Sequence, residues 1–151
     1  MSVARYHHAA AVVDGKIYVM GGNDLDSVEM YDPQADSWQQ VASMPQCRRG
    51  HAATAMGGKI YVSGGDTGDG RRTRTVIVFD PSANTWTELA SLSQFRAFHT
   101  SAVIVGKLYV FGGETRGSRI ASVDAYDPIS NTWAHVSDLS CVREDFVAVA
   151  L

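Results

Sequence analysis

One stretch of fifteen residues occurs three times in this chain: HAAAVVDGKIYVMGG from His8 to Gly22, HAATAMGGKIYVSGG from His51 to Gly65 and HTSAVIVGKLYVFGG from His99 to Gly113. The histidines lie 43 and 48 residues apart, and each precedes its glycine pair by 13 positions. Each copy continues to an aromatic-Asp-Pro and then a tryptophan: Tyr31-Asp32-Pro33 with Trp38, Phe79-Asp80-Pro81 with Trp86, and Tyr126-Asp127-Pro128 with Trp133. Aromatic and tryptophan are seven apart every time. Self-similarity at a period of this length restricts the chain to one supersecondary unit, stacked on copies of itself so that each buries what it cannot bury alone.

Within a copy, the apolar run after the histidine ends at a Gly-containing pair, which predicts a buried strand entering a tight hairpin. Asp14-Gly15 and Gly57-Gly58 suit a two-residue turn with positive φ, whereas Val105-Gly106 suits it poorly because a β-branched residue resists that conformation. KIYV, KIYV and KLYV form a second strand, stopped by Gly21-Gly22, Gly64-Gly65 and Gly112-Gly113. A third strand is predicted over roughly Ser27 to Tyr31, Val76 to Phe79 and Ala121 to Tyr126, and Asp-Pro then opens a turn. The fourth strand carries the tryptophan. Four antiparallel strands in a repeat of this length make one blade of a β-propeller.

These residues resemble the kelch repeat, with its arginine and histidine opening, double glycine, Tyr-Asp-Pro and spaced tryptophan. The resemblance covers nearly the whole chain. The expected fold class is all-β, a partial kelch propeller of three four-stranded blades plus the first strand of a fourth. The repeats run over residues 5–47, 48–95 and 96–142, with a fourth begun at 143–151. In that fourth frame Phe146 stands in the histidine position and VAVAL follows as an innermost strand. Propellers close with about four to eight blades. The expectation is therefore a fragment of a longer chain, or an arc whose two apolar flanks invite self-association.

Composition agrees with a folded chain: 45% hydrophobic, 19% charged, net charge −3, and no apolar run long enough to cross a membrane. Neither a signal peptide nor an N-x-Ser/Thr sequon is seen, and a cytoplasmic location is expected. Cys47 and Cys141 lie two blades apart, so no disulfide is expected between them. A redox-sensing thiol at Cys47 beside Arg48 is the alternative use.

With strands a to d counted from axis to rim, the a-b and c-d turns share one face of the ring, and the b-c and d-a loops share the other. From second glycine to aromatic, the b-c segment spans 9 residues in the first blade, 14 in the second and 13 in the third. Variable loops on a constant scaffold are where recognition is tuned. Lys16, Lys59 and Lys107 sit at the a-b turns, while all ten arginines fall in b-c or d-a segments. The second face is thus arginine-lined and suited to carboxylates or phosphates. Acidic neighbours on that face, and the absence of interleaved aromatics, argue against a nucleic-acid groove.

Arg5, Arg48, Arg96 and Arg143 recur three residues before the histidine position and are assigned to the structural frame. The same holds for His51, His99, the glycine pairs Gly21, Gly22, Gly64, Gly65, Gly112 and Gly113, and the aromatic partners Tyr31, Phe79, Tyr126, Trp38, Trp86 and Trp133. Arg49, Arg71, Arg72, Arg74, Arg116 and Arg119 lie outside the frame and are the predicted partner-binding residues, with GDGRRTR the densest stretch. The frame histidines spread around a ring too wide for one ion, whose ligands stand about 2 Å away, so neither metal nor cofactor is expected.

No nucleophile elbow, HExxH or P-loop is present, so catalysis is not expected. The wording SVEMYDP, tryptophan, Met-Pro and arginine is similar to the propellers of BTB-kelch proteins. That resemblance implies a protein-binding module, the substrate-recognition part of a cullin-type ubiquitin ligase adaptor. Other kelch proteins imply actin binding, and kelch-like sialic acid mutarotases imply an enzyme as the remaining alternative. The partner expected from the arginines is a protein with an acidic segment.

Overall fold

The computed structural model describes residues 1–148. Its first sheet runs through β1 (Ala9–Val13), β2 (Lys16–Met20), β3 (Val28–Asp32) and β4 (Ser37–Val41). A second repeats this with β5 (Ala52–Met56), β6 (Lys59–Ser63), β7 (Val76–Asp80) and β8 (Thr85–Leu89). The third has β9 (Thr100–Ile104) and β10 (Lys107–Phe111), then a small hairpin of β11 (Glu114–Thr115) and β12 (Ser118–Arg119), then β13 (Val123–Asp127) and β14 (Thr132–His135). Each sheet is an antiparallel meander in chain order, and β1, β5 and β9 are neighbours at the axis. Among the described residues there is no helix. The architecture is three four-stranded blades of a β-propeller.

The core lies between blades. Tyr18, Met20, Val28 and Met30 of the first sheet meet Ile60, Val62, Ile77 and Phe79 of the second, and Val76 and Leu92 meet Val110 across the next gap. Burying such side chains contributes about 1.5–3 kcal/mol each, so the faces that find a neighbour hold the arc together. Each tryptophan also stacks on its cross-strand partner: Tyr31–Trp38, Phe79–Trp86 and Tyr126–Trp133 have ring centroids 5.1, 4.9 and 5.2 Å apart. The indole then reaches the preceding blade. Trp86 Nε1 donates to Ala42 O while Asn84 Oδ1 accepts from Ala42 N, and Trp133 with Asn131 grips Ala90 in the same way. The tryptophans thus pack within a blade as well as between blades. Trp38 makes no such grip among the described residues and is 38% exposed.

The double glycines are explained by what crowds them. Gly64 sits at φ +58, and a Cβ there would lie 2.2 Å from Arg96 O and 2.9 Å from His99 Cε1. Gly21 meets Arg48 O and His51 Cε1 in the same manner. The second glycine of each pair donates its N–H to the next arginine carbonyl: Gly22 to Arg48, Gly65 to Arg96 and Gly113 to Arg143. Close approach and positive φ together leave room for hydrogen alone.

Two expectations are adjusted. The third strands begin one or two residues later than predicted in the first and third blades, at Val28 and Val123. The Ser27 and Ser122 carbonyls still accept from Gly21 and Gly112 N–H in register with the ladder, as Thr75 O does from Gly64 N–H. The turn at Val105-Gly106 forms despite its valine, which takes φ 48 with its side chain 95% exposed. Of the predicted fourth-blade strand from Phe146 to Leu151, residues 149–151 lie outside the described residues. The part described places Phe146 against Gly112 and donates Ala148 N–H to Thr100 Oγ1 at 3.2 Å.

Candidate functional site

Arg5, Arg48 and Arg96 bury their guanidinium groups within their own blades, while the Arg48 and Arg96 carbonyls accept from Gly22 and Gly65 of the preceding blade; Arg143 is exposed. Arg48 and Arg96 are 2% and 0% exposed. Arg96 Nη1 donates to Gly112 O and Ser122 O, and Nη2 to Ser122 Oγ and, at 3.1 Å, to Asp124. Arg5 repeats the set on Gly21, Ser27 and Glu29. Arg48 makes the same contacts to Gly64 and Thr75, but Ile77 stands where Glu29 and Asp124 stand in the other blades. Burial without a carboxylate beside it lowers the Arg48 pKa to about 10.

At the axis, the residue before each histidine position adopts positive φ: His7 53°, Gly50 60°, Phe98 54° and Asp145 52°. Their backbones form a hydrogen-bond ladder, Gly50 N–H to His7 O, Phe98 N–H to Gly50 O and Asp145 N–H to Phe98 O. His99 Nε2 pairs with Ser63 Oγ at 2.8 Å. His51 finds Met20 in the equivalent place and has no hydrogen-bond partner for either ring nitrogen among the described residues. Burial drives the His51 pKa to about 3 and His99 well below its ordinary value, so both imidazoles are neutral. Among the described residues no three His, Cys, Asp or Glu side chains converge as a metal site would require.

The opposite face is neutralised in a regular way. Lys16, Lys59 and Lys107 each reach the aspartate of their own Asp-Pro turn, Asp32, Asp80 and Asp127, at 2.9–3.0 Å. These lysines hold the three carboxyls below the usual carboxylate range, and the same aspartates cap their turns by accepting N–H groups.

The six predicted binding arginines divide. Arg49 pairs with Asp66, Arg72 with Glu114 and Arg119 with Glu144. Arg72 also lies over the Phe98 ring. These three serve internal pairs. Arg74 is exposed and does not line the cleft described next. Arg71 and Arg116 converge: with Gly70, Arg72 and Phe95 they line a cleft of about 350 Å³ between the second and third blades. Arg71 is 85% exposed, its one acidic neighbour being the half-exposed Asp69 at 3.5 Å. The Arg116 guanidinium lies 5.1 Å from the Phe95 ring centroid, and no carboxylate of the described residues stands within ion-pair reach of it. Sequence reading placed Asp66 and Glu114 on this face without pairing them to an arginine, and missed Phe95. The available signal was that the position before the frame arginine changes from Cys47 to Phe95 to Val142. Both cysteines are free thiols, and Cys47 donates to Thr67 O.

A sequence profile for the KLHDC2/KLHL20/DRC7 Kelch-repeats domain matches residues 7–144. The chain belongs to the kelch-repeat family. It is 44% identical over 55 residues to alpha-scruin of Limulus polyphemus, a match covering 33% of this chain and 6% of that protein. Over 47 residues it is 49% identical to an F-box/kelch-repeat protein of Arabidopsis thaliana, covering 28% of this chain and 12% of that protein. Over 54 residues it is 41% identical to kelch-like protein 38 of Danio rerio, covering 30% and 9%. Among solved structures, YjhT superposes with a TM-score of 0.82 at 19% identity, covering 93% of this kelch chain and 53% of YjhT, which shows a shared fold. The kelch chain thus spans a small part of the curated relatives it matches and about half of YjhT. No helix among the described residues is long and apolar enough to cross a membrane.

Proposed function

We propose that this kelch domain is a protein-recognition module whose b-c and d-a loop face binds an acidic segment of a partner. The observation that carries this reading is the cleft where Arg71 and Arg116 meet without strong carboxylate partners, on a face where Arg49, Arg72 and Arg119 are paired internally. Guanidinium groups make their strongest contacts bidentately with carboxylate or phosphate, and exposed contacts of this kind weaken as salt screens them. Kelch-family membership supports protein binding, and similarity to F-box/kelch and kelch-like proteins supports extending it to substrate recognition by a cullin-type ubiquitin ligase adaptor.

The test is fluorescence anisotropy with a Glu/Asp-rich peptide. Binding is expected to fall steeply with salt and to drop at least about tenfold, roughly 1.4 kcal/mol, in Arg71→Glu/Arg116→Glu. Lys16→Gln/Lys59→Gln/Lys107→Gln on the opposite face is expected to bind as the parent does. Equal loss in both variants would sink the assignment of the site. Arg72 is left intact in this design because its pairing with Glu114 joins two blades.

A further inference from the structure

We infer that the anchor seated in the Arg71–Arg116 cleft is a phosphotyrosine side chain, an assignment that rests on the acidic-partner reading above. Three features of the cleft converge on that chemistry. Two guanidinium groups face it without a strong counter-charge, whereas Arg72 at its edge is already paired with Glu114. One carboxylate satisfies one guanidinium fork; a phosphoryl group carries about −1.5 to −2 charge and three acceptor oxygens, enough for both. The cleft also has an aromatic floor, the half-buried Phe95, with the Arg116 guanidinium laid across it. An aryl ring can stack on that assembly from the open side, which a glutamate or phosphoserine side chain cannot do. At about 350 Å³ the space suits a single large side chain rather than an extended segment.

The backbone adds an independent observation. Arg116 and Gly117 are the two central residues of the β11–β12 hairpin turn, with φ 45 and 86. Asn, Asp and Gly are the residues that take this geometry readily; arginine takes it at a cost. Strain held at a cleft is an indication of function, since the turn would be more stable with another residue. Here it aims a guanidinium at Phe95 from the neighbouring loop.

The inference is tested with four peptides sharing one acidic flank and carrying tyrosine, phosphotyrosine, phosphoserine or glutamate at the centre. They are titrated into the parent protein and into Arg116→Asn, Arg71→Gln and Phe95→Leu variants. Phosphotyrosine is expected to bind at least about tenfold tighter than the other three. Arg116→Asn is expected to abolish that preference while raising the melting temperature, because asparagine relieves the turn. Phe95→Leu should bring phosphotyrosine down to the level of phosphoserine. If glutamate binds as tightly as phosphotyrosine, the inference fails while the acidic-partner reading stands. A phosphotyrosine preference that survives both arginine variants places the anchor elsewhere and overturns the inference. Failure of all four peptides to bind the parent at low salt overturns both.

Discussion

His51 and His99 occupy the same repeat position with different surroundings, and the difference is a single partner. His99 keeps Ser63 as a hydrogen-bond partner, whereas His51 faces Met20 and packs its ring against Gly21. Since the folded pKa of His51 is about 3 against an ordinary value near 6.5, the unfolded chain binds the extra proton between those values. Stability is therefore complete above about pH 6.5 and is lost as pH falls, by on the order of 3 kcal/mol from His51 alone at pH 4. His99 adds a loss of the same sign. The fourth repeat places Phe146 at this position against Gly112, so His51→Phe is expected to fit. Acid titration followed by circular dichroism should show the His51→Phe midpoint shifted to lower pH, and an unchanged midpoint would remove His51 as the cause. At the same scale, Arg71 and Arg72 are adjacent and identical, yet one is exposed and the other tied to Glu114 across the blade gap.

At the level of elements, the tight turns show which sequence preferences were obeyed and which were overridden. Asp14-Gly15 and Gly57-Gly58 follow the expected turn chemistry, whereas Val105 occupies the left-handed region because β9 and β10 pair around it from Lys107↔Ile104 to Phe111↔Thr100. A β-branched residue there carries a cost of roughly 1–2 kcal/mol, so Val105→Asn is expected to stabilise the chain by about 1 kcal/mol in urea unfolding. The glycines behave oppositely according to their surroundings. Gly57 has nothing within 4 Å of a built Cβ, while Gly64 would meet Arg96 O at 2.2 Å. Gly57→Ala should then cost about 1 kcal/mol and Gly64→Ala well over 3 kcal/mol, enough to threaten folding; equal costs would contradict the crowding argument. The β11–β12 hairpin was not legible beforehand, because two-residue strands carry no periodicity.

Across the whole molecule, the grip of Trp86 and Trp133 on the preceding blade has an unfilled counterpart at Trp38. Val12 and Ile17 share that outer face and are 58% and 36% exposed. A flank that elsewhere in the chain meets another blade is expected to self-associate when nothing covers it. Analytical ultracentrifugation of a protein made of these residues should show mass rising with concentration, reduced by Trp38→Arg. A concentration-independent monomer would show instead that the flank is solvated without penalty. Nothing in that experiment touches the loop face, so flank and cleft are separable by mutation.

The blade order, the strand positions to within about two residues and the hairpin turns followed from the sequence because each depends on spacing within one repeat. Periodicity, turn chemistry and the recurrence of Arg, His, Gly-Gly and Trp are local properties, and three copies reinforce one another. The fate of the six loop arginines was decided by tertiary structure alone. Asp66, Glu114 and Glu144 reach Arg49, Arg72 and Arg119 from segments distant in the chain, and Phe95 comes under Arg116 only when two blades stack. Charge pairing falls off over a few ångströms, and a sequence records order along the chain rather than distance across it.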